Sequence, residues 1–275
     1  MTSRPITVIT GAARGIGLQI ARDLVARGDH VVIGDLDLAA TQEAAAGLGE
    51  HATAVRIDVT DRAVVAAVIA EVERDLGPIR TWVNNAGIMP TGRFVEQPIE
   101  QLRATIDIDY AATVEATRQI LPLLLARGEG TIVNIASATG VKPLAGLAAY
   151  SGAKAGVIAF SEALRRELRG TGVRVIVINP NLTRTALGAG ITPPALTGSI
   201  TAGDVSVAVL RAIGRGTASV IVPRRLTPLL HLSRLLPVPV RDWLDDMVGS
   251  DAIGLGGDPA TRAAYAAEAL GRNRP

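Results

Sequence analysis

The stretch Ile6-Thr7-Val8-Ile9-Thr10-Gly11-Ala12-Ala13-Arg14-Gly15-Ile16-Gly17 changes character at residue 10. Its first five residues are β-branched and read as a buried strand. A glycine-rich turn follows, and then an amphipathic run to about residue 27. Gly11 permits a sharp turn off the strand, Gly15 lets backbone approach a phosphate, and Gly17 lets the next helix pack closely. Free N–H groups at such a helix start attract an anion. A strand, glycine loop and helix in this order mark a dinucleotide site. Gly11, Arg14, Gly15, Ile16 and Gly17 are its candidate contacts.

The same alternation recurs outward from this stretch. Strand-like runs occupy 6–10, 30–35, 52–57, 80–84, 131–136, 173–178 and 218–222. Helix-like stretches lie between them at about 15–27, 38–48, 61–76, 98–127, 149–169 and 203–214. Near-continuous Val and Ile in the strands fit a parallel sheet buried on both faces. The pattern predicts a Rossmann-type, doubly wound α/β sheet of about seven strands with right-handed crossovers. No linker divides it. One domain over 1–222, followed by a helical extension over 223–275, is the expected organisation.

The second strand ends at Asp35, 24 residues after Gly11. A carboxylate there accepts hydrogen bonds from a ribose 2′-hydroxyl and repels a 2′-phosphate. Asp35 therefore favours NAD, and Arg14 is the one residue that argues for NADP. Asp37 lies past the strand end and is expected to start the next helix.

Composition narrows the chemistry. The 275 residues are 48% apolar and 20% charged, a globular balance. The absence of cysteine excludes disulfides and thiolate chemistry. His30, His51 and His231 are too dispersed for a histidine metal site, and no metal is expected. No apolar run reaches the roughly 18 residues of a spanning helix. The first residues lack the form of a signal peptide, so cytoplasmic residence is expected. The net charge of +2 hides an uneven distribution: −3 over 1–167, +8 over 168–241 and −3 over 242–275. Of 28 basic residues only Lys142 and Lys154 are lysine.

Further marks join the glycine loop: Asp58-Val59 after the third strand, Asn84-Asn85-Ala86-Gly87 after the fourth, and Ser137 after the fifth. Tyr150-Ser-Gly-Ala-Lys154 follows, with Ser137 standing 13 residues before Tyr150. With these residues the chain resembles the short-chain dehydrogenase/reductase family over about residues 4–222. The resemblance implies adenine contacts from Asp58 and Val59, and places Asn85, Ala86 and Gly87 along the adenosine ribose. It makes Ser137, Tyr150 and Lys154 catalytic, with Tyr150 and Lys154 also touching the cofactor.

The residues themselves support that chemistry. Tyr150 and Lys154, at i and i+4, share one helix face. An ammonium beside a phenol favours the phenolate, so Tyr150 can take a proton from an alcohol or return one to a carbonyl. Ser137 stabilises charge on the same substrate oxygen. Hydride exchange with nicotinamide completes the reaction. Lysine at 154 in so arginine-rich a chain is itself a pointer, because a compact ammonium does there what a planar guanidinium does poorly. Lys142 reads as a solvated loop residue, with a role at the active-site mouth as the other reading.

Two positions depart from the family. Counting back from Pro122 puts Asp109 where an asparagine is usual, and a carboxylate there would hold Lys154 charged while offsetting its effect on Tyr150. Pro180-Asn181 replaces a Pro-Gly turn, with Asn181 expected to take the left-handed conformation. Pro180, Leu182 and Thr185 are the cofactor candidates of this turn.

The segment 184–203 is the expected substrate lid, and Thr185–Gly203 carries no charge. An apolar alcohol or ketone is the expected substrate, with Met89, Phe94 and Leu144 as candidate walls. Arg224–Arg241 reads as a short amphipathic helix of two to three turns packed on its own domain or on a sister subunit. Membrane-surface contact fits less well because Pro237 and Pro239 shorten the helix, and the segment lacks aromatic residues for nucleic-acid stacking. A homodimer or homotetramer through 98–127 and 149–169 is implied by the resemblance. Two other readings are an NADP(H)-dependent carbonyl reductase and an NAD-binding protein that has lost catalysis.

Overall fold

The computed structural model describes residues 4–193 and 198–271. Residues 194–197 of the expected lid lie outside the described residues. The chain runs β1 (Ile6–Thr10), α1 (Gly15–Arg27), β2 (His30–Asp35), α2 (Leu38–Ala46), β3 (Ala52–Arg56) and α3 (Arg62–Asp75). Then come β4 (Ile79–Asn84), α4 (Ile99–Ile106), α5 (Ala112–Arg127), β5 (Gly130–Ile135), α6 (Ala138–Val141) and α7 (Ala148–Glu167). β6 (Val173–Pro180), α8 (Ala202–Arg215) and β7 (Ser219–Val222) complete the sheet. Only helices follow: α9 (Thr227–Ser233), α10 (Val238–Val248), α11 (Ala252–Leu255) and α12 (Pro259–Gly271).

The seven strands form one parallel sheet in the order β3-β2-β1-β4-β5-β6-β7. This is the doubly wound arrangement, with the order reversing between β1 and β4. Buried residues on the two faces make two large apolar clusters. Ile9, Ile33, Val83 and Val133 anchor one, and Val8, Val32, Trp82 and Ile132 the other, each wholly buried. That alternation along each strand explains the unbroken Val/Ile runs. Each such side chain stabilises the fold by about 1.5–3 kcal/mol through burial.

Local signals set the helix ends. Asp37 caps α2 by accepting from Ala40 N–H, and Asp61 caps α3 through Ala63 and Val64. Thr201 and Asp204 form a reciprocal capping box on α8. Asp258 accepts from Thr261 N–H, and Pro259 starts α12, as the sequence predicts.

One expected helix is divided. The single helix over 98–127 is interrupted by a π turn at Asp107–Ala111 between α4 and α5. In the tail, α9 is a helix of about two turns within Arg224–Arg241, as the sequence predicts. Pro237 ends that path as the N-cap of α10, and Pro239 sits in α10's first turn, where its missing N–H costs nothing. α9, α10 and the turn between them leave Leu232, Leu235, Val240, Trp243 and Met247 exposed. Among the described residues, no helix is long and apolar enough to cross a membrane.

A buried polar chain crosses the middle of the sheet. Trp82 Nε1 donates to Asn84 Oδ1 (2.7 Å), Asn84 Nδ2 to Asn134 Oδ1 (2.8 Å), and Asn134 Nδ2 to Ser161 Oγ (2.8 Å). It ties β4 and β5 to α7. Asn134→Ala removes one acceptor from the Asn84 amide, which keeps Thr117 Oγ1 (3.2 Å), and one donor to the Ser161 hydroxyl, which keeps Val157 O (2.6 Å), and should lower unfolding free energy by about 1–3 kcal/mol in all. Urea denaturation with an unchanged m value is the measurement; an unshifted midpoint would show that the chain is dispensable.

Candidate active site

The glycine loop and the Asn-Asn-Ala-Gly turn are built against each other. Gly11 has φ +62, and a Cβ there would lie 2.7 Å from Ala86 Cα. The backbone conformation and the close approach therefore both demand glycine. Asn85 Nδ2 donates to the carbonyls of Thr10 and Gly11, both at 2.8 Å. Thr10 Oγ1 accepts from the N–H groups of Asn85 (3.0 Å) and Ala86 (3.1 Å). Asn85 thus spends its amide bracing the loop. Gly17 packs where a Cβ would meet the Asn85 amide at 2.6 Å.

Arg14 is the N-cap residue of α1 but offers no side-chain hydrogen bond to the helix. The first amides of α1 are therefore not capped by that side chain, which suits a bound pyrophosphate. Arg14 instead reaches Glu268 on α12 at 3.0 Å, both side chains half-exposed. Asp35 Oδ2 accepts from Ala13 N–H at 3.3 Å, which places the carboxylate beside the loop. Asp58 Oδ1 accepts from Thr60 N–H (2.9 Å) and Thr60 Oγ1 (2.6 Å).

A cavity of about 740 Å³ joins these residues to the catalytic candidates. Gly11, Arg14, Gly15, Ile16, Asp35, Asp58, Val59, Asn85, Ala86 and Gly87 line one end. Asp109, Ser137, Tyr150 and Lys154 line the cavity as well, together with Pro180, Leu182 and Thr185. Gly17 is the one sequence candidate that lies behind the wall, holding Asn85.

Ser137 follows β5 as the N-cap of α6, while Tyr150 and Lys154 lie on α7. Ser137 Oγ accepts from Thr139 N–H (3.2 Å) and Thr139 Oγ1 (2.9 Å), which leaves its own proton to donate. Lys154 Nζ donates to Ile135 O at 3.2 Å and meets Asp109 Oδ1 at 3.0 Å. It stands 5.7 Å from the Tyr150 ring centre.

Asp109 projects from the π turn and is wholly buried. Its carboxylate also accepts from Ile88 N–H at 3.2 Å. Burial raises its pKa to about 6, against the lowering effects of Lys154 and the Ile88 N–H. A Cβ on Gly87 would collide with this carboxylate, so glycine there is what admits it. For Tyr150, Asp109 opposes Lys154 as the sequence predicts, and burial, which the sequence did not show, acts more strongly still. Burial, and then the Asp109 charge, push its phenol above the ordinary range, while the Ser137 hydroxyl pulls it down. The acidifying influence expected from Lys154 is offset by Asp109 at the same nitrogen.

Three further expectations are corrected. Asn181 is not left-handed, since the described residues with positive φ are all glycine. Its N–H bonds Val222 O (2.8 Å) and its amide bonds Gly198 O (3.1 Å), so strand β7 and the lid hold the turn. The Leu182 carbonyl likewise accepts from Ile200 N–H. Phe94 is 59% exposed and lies outside the cavity wall, whereas Met89 and Leu144 line it. Lys142 is not solvated: it pairs with Asp245 of α10, both largely buried.

The larger omission is the extension. Leu229, Leu230, Leu244, Met247, Ile253 and Tyr265 all line the cavity. Backbone at Gly146 packs directly on Gly254, where neither residue has room for a Cβ. Arg262 donates to Thr91 Oγ1 (3.1 Å), Leu187 O (2.9 Å), Ala189 O (3.2 Å) and Met89 O. It thereby ties the first half of the lid to the turn after β4. The sequence signal was weak: an i, i+3 Arg/Tyr pair behind a capped helix start.

With this geometry the comparisons are decisive at one level. The family model for short chain dehydrogenase matches residues 5–195. The chain belongs to the short-chain dehydrogenase/reductase family. It is 36% identical over 221 residues to the ketoacyl reductase HetN of a Nostoc species, covering 78% of this chain and 77% of that protein. It is 38% identical over 216 residues to 1-deoxy-11-beta-hydroxypentalenate dehydrogenase of Streptomyces exfoliatus, covering 75% and 78%. A short-chain dehydrogenase from Sphingobium yanoikuyae in complex with NADPH superposes with TM-score 0.73 at 31% identity, covering 80% of this chain and 88% of that one. A Burkholderia phymatum family member in complex with NAD shares the fold, with TM-score 0.78 at 22% identity over 84% and 93%. This short-chain dehydrogenase/reductase is an oxidoreductase whose relatives are dehydrogenases and reductases.

Asp109→Asn removes the charge that raises the Tyr150 phenol. In this oxidoreductase the acid limb of the oxidation rate should then move to lower pH by roughly one unit, with a modest change in plateau rate. The pH–rate profiles of both forms check this, and superimposable acid limbs would remove Asp109 from the control of Tyr150.

Proposed function

We propose that this protein transfers a hydride between NAD(H) and an apolar secondary alcohol or ketone, with Tyr150 as acid/base. The observation that carries the reading is one cavity wall holding Ser137, Tyr150 and Lys154 together with the glycine loop and Asp35. The uncapped start of α1 and the glycine at 11 fit a dinucleotide pyrophosphate. The nicotinamide ring, when bound, supplies the carbon that accepts or gives the hydride.

The residues then divide the remaining work. Tyr150 is neutral in the free protein, because its phenol is raised, and so holds a proton to donate to a ketone oxygen. Ser137 Oγ–H donates to the same oxygen as charge develops there. Lys154 uses one donor on Ile135 O and faces Asp109 with a second, leaving a third for a ribose hydroxyl. In the reverse direction Tyr150 takes the alcohol proton, and the ammonium 5.7 Å from its ring centre favours the resulting phenolate.

Asp35 supports NAD over NADP by repulsion of a 2′-phosphate. The Arg14–Glu268 pair supports it too, since the one cation of the loop is already engaged. The apolar lid and the leucine-rich extension wall support an apolar substrate. Exposed Phe94, Val95, Ile99 and Ile106 beside α4 support an assembly of two or four chains through that face. Light scattering should report at least a dimer, and a monomer would retire that part of the reading.

Tyr150→Phe should lower kcat by at least about a hundredfold with cofactor affinity preserved. Full turnover by that variant on a wild-type substrate would end the proposed mechanism. In a fluorescence titration NADH should bind on the order of tenfold or more tightly than NADPH, about 1.4 kcal/mol or more. Asp35→Ser should narrow that gap, and a wild-type preference for NADPH would sink the assignment to Asp35.

A further inference from the structure

α12 brings a second phenol into the cavity. Tyr265 lines it together with Tyr150, Ser137 and Met89. Its oxygen accepts the Met89 N–H at 3.0 Å. That bond uses a lone pair, so the hydroxyl proton remains to be donated. Among the described residues no hydrogen bond takes that proton to a protein acceptor. The ring cannot easily turn away, because the Arg262 guanidinium lies 4.6 Å from its centre. Arg262 is itself only 7% exposed and is fastened to Thr91, Leu187, Ala189 and Met89. The result is an aimed donor on a rigid mount, in a cavity to which Met89, Leu144, Leu187 and Ile253 contribute apolar surface.

Two electrostatic facts agree with this placement. Tyr265 is pushed up to about 12, chiefly by burial, so it stays a neutral donor across the working pH range. Charges on Tyr265 and Tyr150 oppose each other, which puts the two phenols within one electrostatic neighbourhood.

Building on the oxidoreductase reading above, we propose that Tyr265 forms a subsite for a second oxygen of the substrate. The substrate class is an apolar ketone or alcohol with a further carbonyl or hydroxyl oxygen close to the reacting carbon. The reacting oxygen faces Tyr150 and Ser137, and the second accepts from Tyr265 Oη–H. A site built to donate to an oxygen discriminates strongly against an analogue that lacks it, because the donor is then left unpaired in a dry pocket.

Tyr265→Phe keeps the ring beneath Arg262 and removes only the hydroxyl. The test compares cyclic and linear monoketones with β-keto esters and α-hydroxyketones of matched carbon skeleton, with NADH. The wild type should prefer the two-oxygen compounds by about tenfold or more in kcat/KM. The variant should lose about tenfold on them, mainly in KM, and change less than about twofold on monoketones. Equal losses on both sets, or no wild-type preference, overturn the subsite. The wild-type preference needs no variant, so misfolding of Tyr265→Phe does not protect the proposal. Melting-temperature shifts of the NADH complex with the same compounds give a readout free of chemistry. Stabilisation by two-oxygen compounds that is lost in the variant, without turnover of any compound, would uphold the subsite and overturn hydride transfer. Turnover abolished by Tyr150→Phe but indifferent to Tyr265→Phe would do the reverse. Absence of both turnover and stabilisation overturns both.

Discussion

The contact between Lys154 Nζ and Asp109 Oδ1, 3.0 Å long and buried, organises the cavity wall that holds Ser137 and Tyr150. A buried charge needs a partner, and here each group is the other's. The pair constrains its neighbours in turn. Asp109 reaches inward because a π turn divides α4 from α5 and adds a residue to the helical path. Gly87 lacks a side chain where that carboxylate passes. Ile88 contributes an N–H to it. Lys154 is thereby held under Tyr150, and the phenol feels two opposite charges at once. The interaction aligns the lysine, and burial together with the Asp109 charge keeps the tyrosine protonated.

The extension is the second organising element. It carries no strand among the described residues, yet it supplies much of the cavity's outer wall. Its attachments are polar and specific: Lys142 to Asp245, Asp251 to the Ala145 N–H, Arg14 to Glu268, and Arg262 to four oxygens. Arg262 is buried without a carboxylate counterpart among these contacts. Backbone carbonyls, a threonine hydroxyl and the Tyr265 face share its charge. Such a residue draws the lid and the turn after β4 together, so the pocket's shape is set by the tail as much as by the sheet.

The fold was legible because its signals are local and repeated. Val/Ile runs, breakers and caps place strands and helices within a residue or two, and parallel pairing follows from burial on both faces. The glycine loop, Ser137, Tyr150 and Lys154 were legible because their spacing is short and their residue types are chemically constrained. The interruption of 98–127 was not legible, since a π turn changes the path without changing composition. Neither was the Asn181 turn, which depends on Val222 and Gly198. Lys142 read as solvated because its partner lies about a hundred residues away in sequence.

By itself, the sequence determined the sheet, the glycine loop and the placing of Tyr150, the proposed acid/base, with Lys154 on one helix face. Those depend on neighbours within one turn or one strand-loop-helix unit. Tertiary structure alone decided the protonation of Tyr150, the engagement of Arg14 and the entry of Tyr265 into the cavity. Each results from charges or donors that meet only when α12, the π turn and the strand ends converge, and their energies depend on burial and distance rather than on sequence order.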